Sequence, residues 1–228
     1  FPLWSQPLIQ NSQAGAGQWQ IAQVPVGHGL ALAPFHVLFE EFVQGAAMST
    51  DHGVYVDDVF VRDQSCLPPG DCDFENGLCT WSVDDNGGVS TSSWLRGTGQ
   101  SSDPLRPQLD HSTGTPYGSY VYVENTPGGL TPYLVSEVFR PTGPRGRCMT
   151  VWVYIVGSWT DQVGGISVFI KDLATNDTTP AWKEGDFNLG AKWNFGSFGF
   201  YLDTPYVVLI RVSSGSLQSL VALDDIVF

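Results

Sequence analysis

The chain has 228 residues, enough for one large or two modest domains with a sizeable core. Apolar residues make up 42% and charged residues 14%, a globular balance that excludes a disordered chain. A net charge of −13 with only ten Lys and Arg excludes nucleic acid and anionic membrane surfaces as partners, because both need clustered basic side chains.

Short apolar runs bounded by Gly, Pro and polar residues follow one another along the chain. They are HVLFEEF (36–42), VYVDDVFV (54–61), YVYVEN (120–125), LVSEVF (134–139), MTVWVYIV (149–156), GISVFIKD (165–172), VVLIRV (207–212) and VALDDIVF (221–228). Their Val, Ile, Tyr and Phe content and lengths of roughly six to eight residues predict strands. Nowhere does an apolar period of 3.6 persist over a dozen residues, so the expected fold is all-β, a two-sheet antiparallel sandwich or jelly roll. No apolar run approaches the ~18 residues of a membrane span. The first residue is Phe1 rather than Met, which reads as a processed or excised piece with any anchor outside it.

The chain also repeats itself. VYVDDVFV (54–61) and VALDDIVF (221–228) share an apolar–Asp–Asp–apolar core, and each follows a strand of similar character, HVLFEEF and YVVLIRV. Trp19 and Trp193 precede those strands, and Trp4 and Trp182 lie further upstream. Residues 1–66 therefore read as the C-terminal half of a first domain, 67–71 as a short linker, and 72–228 as a second, nearly complete domain. The stretch RDQSCLPPGD (62–71) has the charge, proline and glycine of such a join.

Four cysteines lie at 66, 72, 79 and 148. Cys72 and Cys79 flank an Asn76-Gly77 turn, and a bridge between them would contribute about 2.5 kcal/mol through loop closure. Cys66 and Cys148 either pair with each other or, as the repeat suggests, with cysteines of the missing halves. The spacings are not those of a zinc site. The chain holds no G-x-S-x-G, H-E-x-x-H, P-loop or complete G-x-G-x-x-G motif, so no catalytic residue is expected. Asn176-Asp177-Thr178 is a glycosylation sequon in a polar stretch, in keeping with an extracellular or lumenal location.

CDFENGLCTW (72–81), DHSTGTPYGSYVYVEN (110–125), CMTVWVYIVG (148–157) and ALDDIVF (222–228) together resemble the signature blocks of the MAM domain, in that family's order. Ser112 stands where the family more often has Thr, and the Gly- and Ser-rich stretch after Trp81 is a further departure. The resemblance implies a jelly roll in the extracellular part of a secreted or membrane-anchored protein, without catalysis. It implies a Cys72–Cys79 bridge with Trp81 packed beneath it. Two copies resemble tandem-MAM proteins, some of which serve sorting and transport in apical endosomes.

In a jelly roll whose first and last strands pair, Glu75, Asp110 and one of Asp224 and Asp225 converge. The family resemblance suggests a structural Ca²⁺ there; without one, these carboxylates hydrogen-bond the strand end shut. In CDFE, alternation places Asp73 and Glu75 on one side and Phe74 in the core. Asp57 and Asp58 take the same positions in the first repeat. His111 reads as a backbone-bonded turn residue or a pH sensor. Trp152, between Val151 and Val153, is expected in the core, whereas Trp94 and Trp159 are expected in exposed loops. The expected function is an interaction module for protein partners, either a second copy or another ectodomain. A carbohydrate-binding module and a passive spacer are the alternatives.

Overall fold

The computed structural model describes residues 36–40, 55–59, 67–84, 92–125, 131–157, 161–213 and 219–228. The chain divides into two units, one of residues 1–5 and 24–66, the other of residues 6–23 and 67–228. In the first unit the described residues 36–40 and 55–59 are exposed and carry no strand, although both stretches read as strands in the sequence.

The second unit is an antiparallel sandwich of two five-stranded sheets, and no helix occurs among its described residues. Its strands are β1 (Ser82–Asp84), β2 (Leu95–Thr98), β3 (Ser119–Asn125), β4 (Tyr133–Val135), β5 (Arg147–Gly157), β6 (Asp161–Asp172), β7 (Thr178–Phe187), β8 (Asn194–Phe200), β9 (Tyr206–Ser213) and β10 (Ser219–Val227). One sheet runs β1-β4-β9-β6-β7 and the other β2-β3-β10-β5-β8, an order consistent with the expected jelly roll. Predicted LVSEVF shrinks to β4 plus a single bridge, Phe139 to Tyr206. The strands β1, β2, β7 and β8 are additions to the predicted set.

Alternation along β5 explains the main core. Met149, Val151, Val153 and Ile155 point between the sheets, where they meet Ile166 and Val168 of β6, Val208 and Ile210 of β9, and Val221 and Leu223 of β10. The opposite face of the same sheet is also buried. Tyr120 and Tyr122 of β3, Tyr154 and Val156 of β5, and Leu220 and Ala222 of β10 form a second cluster with Leu105 and Trp193. The β2–β3 connection, residues 99–118, covers part of this face. The Tyr120 hydroxyl donates to Pro107 O at 3.1 Å, Arg106 lies over the Tyr122 ring at 4.3 Å, and Trp193 Nε1 donates to Leu109 O at 3.0 Å.

Two tryptophan expectations are reversed. Trp152 lies half-buried on the outer face, not in the core. Trp94 is buried, its Nε1 donating to Pro132 O at 3.1 Å. Trp159 falls outside the described residues.

The two ends of the 67–228 segment close side by side. Cys72 and Ile226 exchange two backbone hydrogen bonds at 2.9 Å, and Phe228 N donates to Asp71 Oδ1 at 2.8 Å. Cys72 and Cys79 form the expected disulfide, and Trp81 is buried with its Nε1 donating to Gly70 O at 2.9 Å. Residues expected as linker are thus packed onto the domain. Gly70 has a positive φ of 88°, and a Cβ there would meet the Phe139 and Phe228 rings at 2.5 and 2.6 Å. Cys148 is free and exposed, and Cys66 lies outside the described residues.

Replacing Cys72 and Cys79 together by Ala should lower unfolding free energy by about 2.5 kcal/mol, measured by urea titration, with the β signal in circular dichroism unchanged. A loss near zero would show that the eight-residue loop is already closed without the bridge.

Candidate functional site

Three segments meet where the sandwich closes: Cys72–Glu75, the turn 110–115, and the end of β10. Neither side of this junction is regular strand. Phe74 has a φ of 56°, so CDFE is a turn with one isolated bridge at Cys72, which corrects the alternating strand expected there. Phe74 is nevertheless buried, as expected, and Glu75 N donates to Asp73 Oδ1 at 3.1 Å. On the other side β10 breaks register between Asp224 and Val227, with Asp225 at a φ of 47°. The break turns two consecutive carboxylates toward the 110–115 turn.

Asp224 is 0% exposed and fully engaged. Its Oδ2 accepts from His111 N at 2.8 Å and Ser112 N at 3.3 Å, and its Oδ1 from Ser112 Oγ at 3.1 Å and Asp225 N at 2.9 Å. Burial pushes its carboxyl up to about 7, against the pull of these donors and with the neighbouring Asp225 charge adding to the rise. Asp225 shares the single Ser112 hydroxyl proton with Asp224, its Oδ1 lying 2.6 Å from Ser112 Oγ, and it pairs with His111 Nδ1. The His111 ring stacks on Trp152 at 3.8 Å, so the loop is fastened to the sheet by a ring as well as by carboxylates.

Asp110 is 2% exposed. Its oxygens accept from Thr113 N at 2.7 Å, Thr113 Oγ1 at 2.7 Å and Thr115 N at 2.9 Å. Burial works against ionisation, but these bonds and one to Glu75 hold the carboxyl below its ordinary range. Glu75 accepts from Ser119 N at 2.7 Å. Gly118 leaves room for the pair, since a Cβ there would sit 2.2 Å from Asp110 Cγ.

The four sequence-predicted carboxylates therefore reach one end of the sandwich in two pairs, Glu75 with Asp110 and Asp224 with Asp225, joined through residues 110–112. Among the described residues no group of three or more His, Cys, Asp or Glu side chains is gathered to hold a metal. The Glu75–Asp110 contact is the feature that suits a cation, since two carboxyl groups in contact require a shared proton or a positive ion between them. Sequence reasoning did not single out the donors Thr113 and Thr115. Their signal is the run DHSTGT, in which hydroxyl residues three and five positions past an Asp can close an Asx-type turn.

The Asp-Asp geometry occurs twice. Asp58 has a φ of 50° and donates its N–H to Asp57 Oδ1 at 2.8 Å, as Asp225, at a φ of 47°, donates to Asp224 Oδ1 at 2.9 Å. Asn176 lies exposed in the β6–β7 turn, with a φ of 65°.

Asp224→Ala should cost about 2–4 kcal/mol, because it strands the His111 and Ser112 donors, whereas Asp224→Asn should cost about 1 kcal/mol because an acceptor remains. Urea titration of both variants checks this, and equal losses would show that the acceptor is not what holds the turn.

Residues 72–228 match the family described as MAM domain, meprin/A5/mu. MAM domain-containing protein 2 of Homo sapiens is 26% identical over 186 residues, covering 77% of this chain and 26% of that protein. Thyroid hormone-induced protein B of Xenopus laevis is 24% identical over 222 residues, covering 93% of this chain and 30% of that protein. The chain thus spans well under half the length of these curated relatives. Among solved structures, the K1 cleaved adhesin domain of Lys-gingipain from Porphyromonas gingivalis W83 is 19% identical, covers 68% of this chain and 94% of that chain, and superposes with a TM-score of 0.47. Through residues 72–228 the chain belongs to the MAM domain family, extracellular modules of adhesion type.

Proposed function

We propose that the chain is a non-catalytic interaction module of a tandem MAM array, working outside the cell or in an endosomal lumen and making protein–protein contacts. The observation that carries this reading is how the polar cluster of the MAM domain is used. Asp110, Asp224 and their neighbours are buried and spend their hydrogen bonds on joining three chain segments, so recognition falls to the outer surface. That surface offers Phe195, Tyr201, Tyr117 and Phe187, each more than half exposed. The partner is a second copy, or a receptor or cargo ectodomain, and a part in apical endosomal sorting rests on the resemblance alone.

The tandem arrangement, with residues 1–66 as the C-terminal half of a preceding MAM domain, draws support from the matching Asp57-Asp58 and Asp224-Asp225 geometry. It draws further support from a relative aligned over 93% of the chain, more than residues 72–228 supply. A structural Ca²⁺ would be held by Glu75 and Asp110, with Asp224 and Asp225 beside them. When bound it supplies positive charge between carboxylates, and the residues of the chain do the rest by fixing the 110–115 turn. Calcium should raise the melting temperature relative to chelator in the wild type and leave Glu75→Gln unmoved; an equal shift in both would place any calcium elsewhere.

Asn176, exposed in its turn, is the proposed glycosylation site, and glycosidase treatment of secreted protein should lower the mass of the wild type but not of Asn176→Gln. A glycan-binding function is the second reading, favoured by Phe195 beside Trp152, with ring centroids 5.3 Å apart. His111 already covers Trp152, which leaves little of that ring for a sugar. Light scattering of the secreted chain over a range of concentrations tests the main reading. A mass that rises with concentration is expected for self-association. A constant monomer mass would remove the homophilic partner and leave the ectodomain partner, while thermal stabilisation by free sugars would replace both with the glycan reading.

A further inference from the structure

Four strands end the two sheets, and three of them are protected. β1 has three residues and includes Asp84, and β2 has four and includes Arg96. β7 is long, but it carries Pro180, Lys183, Glu184 and Asp186 and is irregular in register against β6. Short length, charge, proline and bulges are the means by which edge strands avoid pairing with other chains. β8, Asn194–Phe200, has none of them. Its seven residues NFGSFGF contain no charge and no proline, and it pairs with β5 without a register shift. Among the described residues nothing pairs with its other edge.

We propose that β8 is a homophilic docking edge, pairing antiparallel with β8 of a second copy about a two-fold axis at Ser197. This rests on the self-association reading above and names its surface. The strand is self-complementary in that register. With Ser197 opposite Ser197, Phe195 of each copy faces Gly199 of the other, and Phe198 faces Gly196. Phe195 and Phe198 thus each meet a residue with no side chain, while Phe200 meets Asn194, both partners of each pair lying on the same face of the sheet. Phe195 is 58% exposed and Ser197 and Gly199 are exposed, while Gly196 and Phe198 face the sandwich interior.

Charge favours a second copy as the occupant. Each chain carries −13, which in general keeps copies apart, so a self-contact is best placed on an edge free of carboxylates, which β8 provides. The flanking residues are of opposite sign. Continuing the register sets Lys192 of one copy opposite Leu202 of the other, one position from Asp203, and the two-fold repeats the pair. Both Lys192 and Asp203 are exposed, and neither makes an ion pair among the described residues. The joined sheet would run β2-β3-β10-β5-β8 straight into its symmetry mate, ten strands in all, doubling the five of one copy.

Sedimentation of the full chain and three variants tests the proposal. Ser197→Lys sets two ammonium groups against each other at the axis and should weaken dimerisation on the order of tenfold, with the melting temperature unchanged. Lys192→Glu should weaken it similarly, and adding Asp203→Lys to that variant should restore it. Thr179→Lys, on the exposed β7 edge, should leave it intact. A dimer that survives both Ser197→Lys and Lys192→Glu would overturn the β8 edge while preserving self-association. A wild type that stays monomeric would overturn self-association and this surface with it. If Ser197→Lys fails to fold, the loss and restoration in the Lys192 and Asp203 pair decide the question alone.

Discussion

A carboxylate with no exposure to solvent has to be surrounded by donors, and Asp224 draws three of its four donors from a turn more than a hundred residues away in the chain. The backbone N–H groups of His111 and Ser112 reach it only when the 99–118 segment lies across the outer face of the β2-β3-β10-β5-β8 sheet. That segment in turn buries Tyr120, Tyr122 and Tyr154, which would otherwise present a broad aromatic face to water. The polar bond and the apolar cover are thus mutually dependent. Without the cover Asp224 is solvated and the turn is free; without Asp224 the cover loses the fixed point at its end.

The same junction uses unusual backbone on both sides. Phe74 and Asp225 occupy left-handed conformations that side chains avoid by about 1–2 kcal/mol, and each holds a group that the junction needs. Phe74 seats its ring in the core while turning Glu75 toward Ser119, and Asp225 turns from the strand toward His111 and Ser112. The disulfide fixes the first of these turns and the β10 register break creates the second.

Much of this architecture is legible in the sequence, for identifiable reasons. β3, β5, β6, β9 and β10 carry dense Val, Ile and Tyr runs because both of their edges are paired and most of their faces are covered. β7 and β8 lie at edges, where one face and one edge meet solvent. Their Thr, Lys, Glu and Gly content therefore carries little strand signal, and both go unread. Trp152 is misplaced by sequence for a related reason. Alternation fixes which residues share a face, but not which face is the core when a distant loop buries both. The carboxylates at 75, 110, 224 and 225 can be gathered by supposing that the first and last strands pair. Their division into two pairs depends on the donors of the 110–115 turn, whose conformation is set by contacts that no local pattern encodes.

The pairing of Cys72 with Ile226 has a mechanical consequence. The first and last residues of the domain lie side by side and antiparallel, so tension applied to both would meet the sandwich at one end only. The domain would hang beside the line of force as a pendant rather than stand in it as a link. Load applied this way separates hydrogen bonds in succession, beginning with Phe228 on Asp71 and continuing through Cys72 and Ile226. Peeling then reaches a covalent stop, because the Cys72–Cys79 bridge lets residues 73–78 pay out no length. The stapled turn therefore acts as a strain limiter placed where a pulled chain would first begin to yield.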